Sequence, residues 1–543
     1  MDILLLKTFA SVWKHALKSY SAYLKGTHMK ISAADRTKHY LFLSEILEIE
    51  KVIYIISVNG NYGGEIERIC EEDMVTEAYH NFDQRIEEDR IKSSKPIPFD
   101  FKKASERLLK NESNKENRFI HYIHYYPGRI YPYIPLYILS LPDFADLDGY
   151  VLDPFAGSGT ILLESIINPV FKRNALGIEI NPIARLISKV KTTVIDATEI
   201  DRLMEGLLAL YSRKEDTSEY VPKFDNLNFW FSFHAIEKLS KLKYAIDNLE
   251  ESEDLKDFLW VCFSSIVRKV SKADPYIPPP VLLKLVKYKN NPHKYQKLRD
   301  FSKHAENPDV WNLFETAVKN NKVKIENLAR IGELRDDKIK AEVIWDDARD
   351  IKSGHLIEYG RIDKIHTEKL PPNIDIVFTS PPYLTAQKYI RTNKLELYWL
   401  GYTKDDLIEL ERNSIGSERI SAKSEISSFG INSIDSLVTY AFSKNKLRGI
   451  MVYKYFENMI KVLDEMGGVL NKNGYAILVV GNNTVLGKKA DTYKLLTDAA
   501  INLNFSEVVT LKDEIRTRSM MTSRNSTGGL IKNEYIIILK KEV

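Results

Sequence analysis

A glycine-containing turn between two apolar segments is the strongest constraint that this sequence places on the fold. Val151 and Leu152 lead into Asp153-Pro154-Phe155-Ala156-Gly157-Ser158-Gly159-Thr160, and Ile161, Leu162 and Leu163 follow. This pattern predicts a strand that turns directly into a helix. Gly157 and Gly159 permit positive φ angles and a close approach of the backbone to a ligand. The amides at the start of the helix suit an anionic or polar group.

The turn lacks the residues of two common nucleotide-binding motifs. A P-loop ends in Gly-Lys followed by Ser or Thr, whereas Gly159 is followed directly by Thr160. The dinucleotide fingerprint has a third glycine, and Leu162 occupies that position. The turn therefore matches neither motif.

Two acidic positions that follow apolar segments are candidates for holding a nucleoside. Residues 176–181 are typical of a short strand that ends at Glu179, 26 residues after Asp153. A carboxylate about 20 residues beyond a glycine turn usually binds ribose hydroxyls, and the alternative is a solvated surface residue. A further apolar segment, 341–345, leads into Asp346-Asp347-Ala348-Arg349. Asp347 is predicted to bind a purine amino group, with a helix N-cap role as the alternative.

The tetrad Ser380-Pro381-Pro382-Tyr383 follows the apolar residues Ile374, Ile376, Val377 and Phe378. Two consecutive prolines remove two backbone donors and fix two φ angles. The tetrad is therefore a rigid corner at a strand end, with carbonyls left free to accept hydrogen bonds and a tyrosine ring for stacking. This combination predicts a pocket for a planar amine, and the alternative is a solvent-facing proline turn.

Together, these motifs resemble the S-adenosylmethionine-dependent DNA methyltransferases that modify exocyclic amino groups. The resemblance covers about 120–200 and 340–543, including Tyr125–Pro132, the segment 384–401, and the closing strand near 531–539. It implies that the cofactor S-adenosyl-L-methionine contacts Tyr126, Pro127, Asp153, Pro154, Phe155, Ala156, Gly157, Gly159, Thr160, Glu179, Ile180, Asn181, Asp347 and Ala348. It assigns the target base to Ser380, Pro381, Pro382 and Tyr383. A serine in first place resembles the N4-cytosine branch, because N6-adenine enzymes more often have Asp or Asn there.

An exocyclic amine is a poor nucleophile because its lone pair is delocalised into the ring. A hydroxyl and a carbonyl that accept its two hydrogens would draw the nitrogen toward sp³ geometry, and Ser380 Oγ and the Pro381 carbonyl are the candidates. Tyr383 would stack on the base, which has to be flipped out of a duplex. Methylation at C5 would require a cysteine nucleophile. Cys70 and Cys262 lie in apolar or helical stretches, predicted as small buried side chains. His121 and His124 are too sparse a pair for a metal site, so no metal is predicted.

Composition and charge narrow the class of protein. The chain has 543 residues, 44% of them hydrophobic and 28% charged, which predicts a globular protein of two to four domains. It has no apolar run that approaches 18 residues and no signal peptide, which predicts a cytoplasmic, nucleoid-associated prokaryotic protein without a membrane segment. A net charge of +3 does not by itself indicate nucleic-acid binding.

Local charge identifies candidate DNA contacts. Residues 281–300 have a net charge of +5, with Tyr288 and Tyr295 interleaved, which suits a phosphate backbone with stacking; the alternative is a solvated surface. The predicted contacts are Lys284, Lys287, Lys289, Lys294, Lys297 and Arg299, with Arg391 and Arg524 near the target base. The polar segment Arg412–Ser436 is a second possible region for sequence recognition.

The order of these signals predicts an α/β fold, a Rossmann-like methyltransferase sheet with helices on both faces. The predicted divisions are an N-terminal accessory region at 1–115, a cofactor-binding part at 116–200, a mainly helical insertion at 201–339, and a catalytic part at 340–543. Within the insertion, Ile236, Leu239 and Ile246 recur at helical spacing, and Leu255–Val267 is typical of a second helix.

The sequence thus predicts a site-specific cytosine-N4 DNA methyltransferase that acts on double-stranded DNA in restriction–modification or phage defence. Adenine-N6 methylation is the first alternative. An RNA guanine-N2 or protein glutamine methyltransferase, and a catalytically silent DNA-binding subunit of the same fold, are the others. A cognate restriction endonuclease or defence-system subunits are the predicted partners.

Overall fold

The computed structural model describes residues 96–110, 115–354, 370–371, 373–384, 389–421, 423–515 and 531–542. Its strands are β1 Ile97–Pro98, β2 Tyr150–Asp153, β3 Ala175–Ile178, β4 Ala341–Trp345, β5 Ile374–Thr379, β6 Leu470–Gly481, β7 Asn483–Val485, β8 Lys488–Ala490, β9 Phe505–Glu514 and β10 Asn533–Lys541. Eight of them form one sheet in the order β1-β9-β10-β6-β5-β2-β3-β4, and β7 and β8 pair separately.

Helices precede, follow and connect the strands. They are α1 Phe101–Ser105, α2 Tyr133–Ile138, α3 Thr160–Ile167, α4 Pro182–Thr192, α5 Ala197–Tyr211, α6 Leu227–Trp230, α7 Phe233–Asp247, α8 Glu253–Val267, α9 Pro292–His304, α10 Val310–Ala329, α11 Gly332–Arg335, α12 Tyr389–Thr392, α13 Lys394–Trp399, α14 Lys404–Asn413, α15 Asn432–Lys444, α16 Lys446–Val469 and α17 Thr492–Ile501. The predicted α/β fold is confirmed.

The sheet is parallel where the sequence alternates strands with helices. Strands β4, β3, β2, β5 and β6 run parallel to one another, whereas β10 is antiparallel to β6 and β9. The chain leaves β2 toward β3 on one side and later places β5 on the other. Ligands of open parallel sheets bind outside the carboxyl ends of the strands at such a point. The glycine turn after β2 and the tetrad after β5 both lie there.

The helical insertion packs against the helix that follows the tetrad. Its two predicted helices are present as α7 and α8, and Leu239 and Ile246 are fully buried. The ring of Phe231 contacts that of Trp399 on α13, edge to face, with the centroids 5.7 Å apart. Phe224 stacks on the adjacent Tyr398 at 4.0 Å. The insertion therefore supports the chain immediately after the predicted target-base pocket.

Predictions that concern residues 1–95, including most of the N-terminal accessory region and the buried state of Cys70, lie outside the described residues. The last part of the predicted accessory region does reach the sheet, because Ile97 and Pro98 pair in parallel with Leu511 and Lys512 of β9. In the part of the chain that the structure describes, no helix is long and apolar enough to cross a membrane.

Candidate functional site

The glycine turn has the left-handed backbone that its sequence predicts. Gly157 has φ +50° and Gly159 has φ +70°, and Gly159 is the N-cap of α3. A Cβ at Gly157 would make only ordinary contacts, with Tyr126 Cε1 at 3.7 Å and the Phe155 carbonyl at 3.9 Å, whereas a Cβ at Gly159 would lie 2.2 Å from Ser188 Oγ on α4. From the same helix, the buried Lys191 ammonium or amine donates to the Ser158 carbonyl. Gly157 therefore faces the ligand side of the turn, and Gly159 faces the core.

Asp153 connects the glycine turn to the tetrad strand. Its Oδ1 accepts hydrogen bonds from Thr379 Oγ1 at 2.6 Å and from the Phe155 amide at 3.1 Å. The side chain is 2% exposed, and this burial raises the pKa of Asp153 to about 7. The carboxyl group thus lies beneath the turn, where it fixes β2 against the end of β5.

Glu179 occupies the end of β3 that the sequence predicts for a ribose-binding acid. Its two oxygens accept hydrogen bonds from the amides of Gly157 at 2.7 Å and Asn181 at 2.8 Å. Burial raises the pKa of Glu179, and the two N–H bonds act in the opposite direction. A carboxylate has about four lone-pair sites, so acceptor capacity remains for ligand hydroxyls.

The tetrad presents its serine as an acceptor. Ser380 Oγ donates its hydrogen to the Val479 carbonyl on β6 at 3.1 Å. Because that bond uses the only hydroxyl hydrogen, the oxygen lone pairs are left for an incoming donor such as an amine N–H. Pro381 is buried, and Pro382 and Ser380 form part of the wall of a cleft.

Tyr383 extends from the tetrad over the end of β6. A Cβ at Gly481 would lie 3.5 Å from Tyr383 Cζ, an ordinary contact distance, so the ring lies against the end of β6. The phenol hydroxyl lies 3.4 Å from Glu534 Oε1 on β10. Burial raises the pKa of Glu534 to about 7, and the charge of Asp513, directly opposite on β9, raises it further.

The cleft joins the glycine turn, the end of β3 and the tetrad. The Tyr126 hydroxyl accepts a hydrogen bond from Asn181 Nδ2 at 3.1 Å. The Tyr126 ring lies parallel to that of Tyr389, with an angle of 8° and 6.4 Å between the centroids. Of the residues predicted to bind the cofactor or the base, those in its wall are Tyr126, Pro154, Phe155, Gly157, Glu179, Ile180, Asn181, Asp347, Ala348, Ser380 and Pro382.

The other predicted cofactor and base residues lie outside this wall. Asp153, Ala156, Gly159 and Thr160 are buried in or beneath the glycine turn, and Pro127 is buried beside Tyr126. Pro381 and Tyr383 border the cleft through their positions in the tetrad. These residues pack behind or beside the cleft wall, and their direct contact with a ligand stays a prediction.

Asp347 is engaged by a neighbouring arginine. Arg349 chelates its carboxylate with Nε to Oδ1 at 2.8 Å and Nη2 to Oδ2 at 2.7 Å. The Arg349 amide also donates to Oδ1, and a turn follows instead of a helix. The alternative of a helix N-cap is therefore wrong, and binding of a purine amine would have to share this carboxylate with Arg349.

The predicted DNA contacts have different surroundings. Lys284, Lys287, Lys289, Lys297 and Arg299 are exposed on and around α9. Lys294 instead lies 3.7 Å from the ring centroid of Tyr276 and 4.9 Å from that of Tyr288. The Tyr288 hydroxyl donates to Asp274 at 2.6 Å. Tyr288 therefore contacts protein groups on its ring and at its hydroxyl, which leaves less of it for stacking on a base.

Arg391 lies in the cleft wall but is held by two acids. Its Nε is 2.9 Å from Glu411 Oε1, and its Nη1 is 3.8 Å from Glu418 Oε2. Contact with DNA would require this network to open. Arg524 lies outside the described residues.

One wall of the cleft is formed by residues that the sequence predicts only as part of a polar segment for recognition. Residues 413–419, which begin at the last residue of α14, line the cleft together with the glycine turn. No motif marks them, although they fall at the start of the polar segment predicted for recognition. Tyr389 was likewise part of the resemblance without an assigned role.

Cys262 is fully buried on α8, as predicted. Burial raises the pKa of its thiol to about 12, although Asn321 Nδ2 donates to the sulfur at 3.5 Å. A thiol so placed remains protonated and is a poor nucleophile.

The chain is similar in sequence to two curated proteins. It is 26% identical over 474 residues to a protein of Kocuria varians named Type II methyltransferase M.MvaI, and the match spans 80% of this chain and 93% of that protein. It is 27% identical over 183 residues to Type II methyltransferase M.MjaII of Methanocaldococcus jannaschii, a match that spans 32% of this chain and 33% of that protein. No protein-family model matches the chain.

Proposed function

We propose that this protein is a site-specific DNA methyltransferase that transfers a methyl group from S-adenosyl-L-methionine to N4 of a flipped-out cytosine. The observation that carries the proposal is the position of the glycine turn, Glu179 and Ser380 around one cleft at the carboxyl ends of β2, β3 and β5. The similarity to two proteins named Type II methyltransferases supports the reaction class and a role in restriction–modification.

The residues present fit the cofactor. The amides at the start of α3 suit its carboxylate, Glu179 suits its ribose hydroxyls, and Gly157 lines the cleft without a side chain, which permits a close approach of a ligand to the backbone. When bound, S-adenosylmethionine supplies an electrophilic methyl group. Asp347 and Ala348 lie in the wall where the purine would be held.

The target amine is activated by the tetrad. The orientation of Ser380, with its hydrogen on the Val479 carbonyl, makes the oxygen an acceptor for one amine hydrogen. The Pro381 carbonyl accepts the second, so the nitrogen lone pair is withdrawn from the ring and points toward the methyl group. The leaving sulfide is neutral and needs no proton, and the methylated nitrogen loses one of its hydrogens to solvent, so positioning and electrostatics account for most of the acceleration.

One experiment tests both the reaction and the atom that is methylated. The purified protein and S-adenosylmethionine are incubated with mixed-sequence duplex DNA in one reaction and with tRNA in another. Each nucleic acid is then digested to nucleosides, which are analysed by mass spectrometry. We expect N4-methylcytosine from DNA alone. N6-methyladenine would replace the cytosine assignment by the adenine alternative, methyl transfer to tRNA only would replace DNA as the substrate, and no transfer would favour the silent-subunit alternative.

The exposed lysines of 281–300 predict a non-specific contribution to DNA binding. Replacing Lys284, Lys287 and Lys289 with Gln should weaken binding about equally on all sequences, because interactions with phosphates carry no sequence information. The slope of log affinity against log salt should become shallower by about 0.9 for each phosphate that the variant no longer neutralises. Fluorescence anisotropy over a salt series measures both quantities. A slope equal to that of the wild type would assign the segment to a solvated surface, and the affinity for S-adenosylmethionine is the internal control.

A further inference from the structure

A second cavity lies on the other side of the segment 413–419 from the cofactor cleft. Ser414, Gly416 and Ser417 line both spaces, so the segment separates them. The far wall of the second cavity is formed by α16, including Lys454, Tyr455 and Asn458. A ligand there would be separated from a ligand in the cleft only by the backbone and side chains of this segment.

The charge that lines this cavity is predominantly positive. Arg349, Arg412 and Lys454 contribute cations, and Glu457 is the one carboxylate in the described wall. Lys454 pairs with Glu457 at 2.7 Å, and Arg349 is held by Asp347. Arg412 is exposed and makes no ion pair with the residues that the structure describes. Its guanidinium is therefore available to an anion.

Hydroxyl groups add a surplus of donors. Ser417 Oγ accepts the amide hydrogen of Arg419 at 3.0 Å, and Ser421 Oγ accepts that of Lys423 at 3.2 Å. A hydroxyl that already accepts a backbone N–H has its own hydrogen left to donate. Both residues line the cavity, so their hydrogens suit an acceptor-only ligand.

Tyr455 provides an independent indication of a ligand. Its side chain is 1% exposed and lines the cavity, and its hydroxyl makes no hydrogen bond with any residue that the structure describes. A buried hydroxyl without a partner costs about 1–3 kcal/mol, which a ligand acceptor would offset. Burial raises the pKa of Tyr455 above its ordinary value, so the group stays a donor.

We propose that this cavity binds a backbone phosphate of the DNA next to the flipped nucleotide, through Arg412, Ser417, Ser421 and Tyr455. Phosphate is an acceptor-only anion, which matches a wall rich in donors and positive charge. The shared segment 413–419 would then hold a base on one face and the phosphate of the same or the adjacent nucleotide on the other. The inference rests on the proposed function, since it takes its ligand from the DNA substrate.

The test combines a variant with chemically neutralised phosphates. Duplexes that carry the methylated site are prepared with one methylphosphonate at each backbone position in turn, and binding is measured by anisotropy over a salt series. In the wild type, neutralising a phosphate at or beside the target nucleotide should weaken binding. In Arg412→Gln, neutralising the phosphate at that position should no longer change the affinity. The slope of log affinity against log salt should become shallower by about 0.7–0.9. The exposed Arg213 lines neither space, so Arg213→Gln is the matched control.

A second variant separates ligand binding from structural support. Tyr455→Phe removes an unpaired hydroxyl and retains the ring, so the melting temperature should be unchanged or higher while DNA affinity falls at least several-fold. A lowered melting temperature with unchanged DNA affinity would assign the hydroxyl to packing. Inorganic phosphate, added as a competitor at constant ionic strength, tests whether the cavity binds a free anion. If phosphate displaces no DNA but raises the melting temperature of the wild type and not that of Arg412→Gln, the cavity binds free phosphate and not the DNA backbone.

The inference and the proposed function fail in different ways. An Arg412→Gln protein with the salt slope and methylphosphonate profile of the wild type would overturn the phosphate site while methyl transfer to DNA persists. The proposed function itself would be overturned if the wild-type protein methylated no DNA in the nucleoside assay.

Discussion

Ser380→Ala should lower the turnover number on DNA about a hundredfold and leave the affinity for S-adenosylmethionine unchanged. The serine oxygen is the acceptor whose hydrogen is already committed to Val479, so the substitution deletes a preorganised hydrogen bond at the reacting nitrogen. Removing one such group typically costs about 3 kcal/mol. Single-turnover methylation of a duplex measures the chemical step, and calorimetry measures cofactor binding.

The matched control is Ser443→Ala. Ser443 is an exposed serine whose hydroxyl also donates to a main-chain carbonyl, that of Tyr440 at 2.8 Å. It lies on α15 and lines neither space, so its removal should leave turnover unchanged. If Ser380→Ala retains wild-type turnover, the tetrad is not the pocket in which the amine reacts.

Gly157→Val should abolish most cofactor binding while the protein remains folded. The residue has φ +50°, a region that a β-branched side chain rarely adopts, and its Cβ would point into the open cleft with Tyr126 Cε1 at 3.7 Å. Holding a residue in such a strained conformation costs about 1–3 kcal/mol. Because the valine turn can relax in the free protein and has to return to this conformation to hold the ligand, the same cost lowers affinity about five- to 150-fold, before any steric exclusion of the ligand.

Two other glycines make this prediction specific. Gly487→Val imposes comparable strain, at φ +86° with no atom within 4 Å, on the turn between β7 and β8 and away from the cleft, so cofactor affinity should be retained. Gly159→Val should instead destabilise the protein, because its Cβ would overlap Ser188. Wild-type cofactor affinity in Gly157→Val would contradict the assignment of the turn.

The parts of the site that follow local chain patterns were predictable from sequence. A strand, a glycine turn and a helix are specified by neighbouring residues, and so is the rigid corner of the tetrad. The neutralisation of Arg391 by Glu411, the chelation of Asp347 by Arg349 and the burial of Asp153 depend on how separate segments pack. Residues 413–419 belong to a polar segment without a motif, so the sequence does not indicate that they line the cleft. Sequence patterns therefore located the chemistry, while the tertiary structure determined which side chains remain available for it.

The hydrogen bond between Asp153 and Thr379 has a consequence for how the protein matures. Strands β2 and β5 are adjacent in the sheet, yet β2 ends at Asp153 and β5 begins at Ile374. The whole helical insertion is therefore synthesised after β2 and before β5. Pairings of such large sequence separation form late, since the loop entropy is lost before the new interactions compensate it. While β5 is still inside the ribosome, β2 has an open edge and the carboxyl group beneath the glycine turn lacks its partner. A nascent chain is therefore expected to form the helical insertion first and the complete cleft only after β5 has emerged.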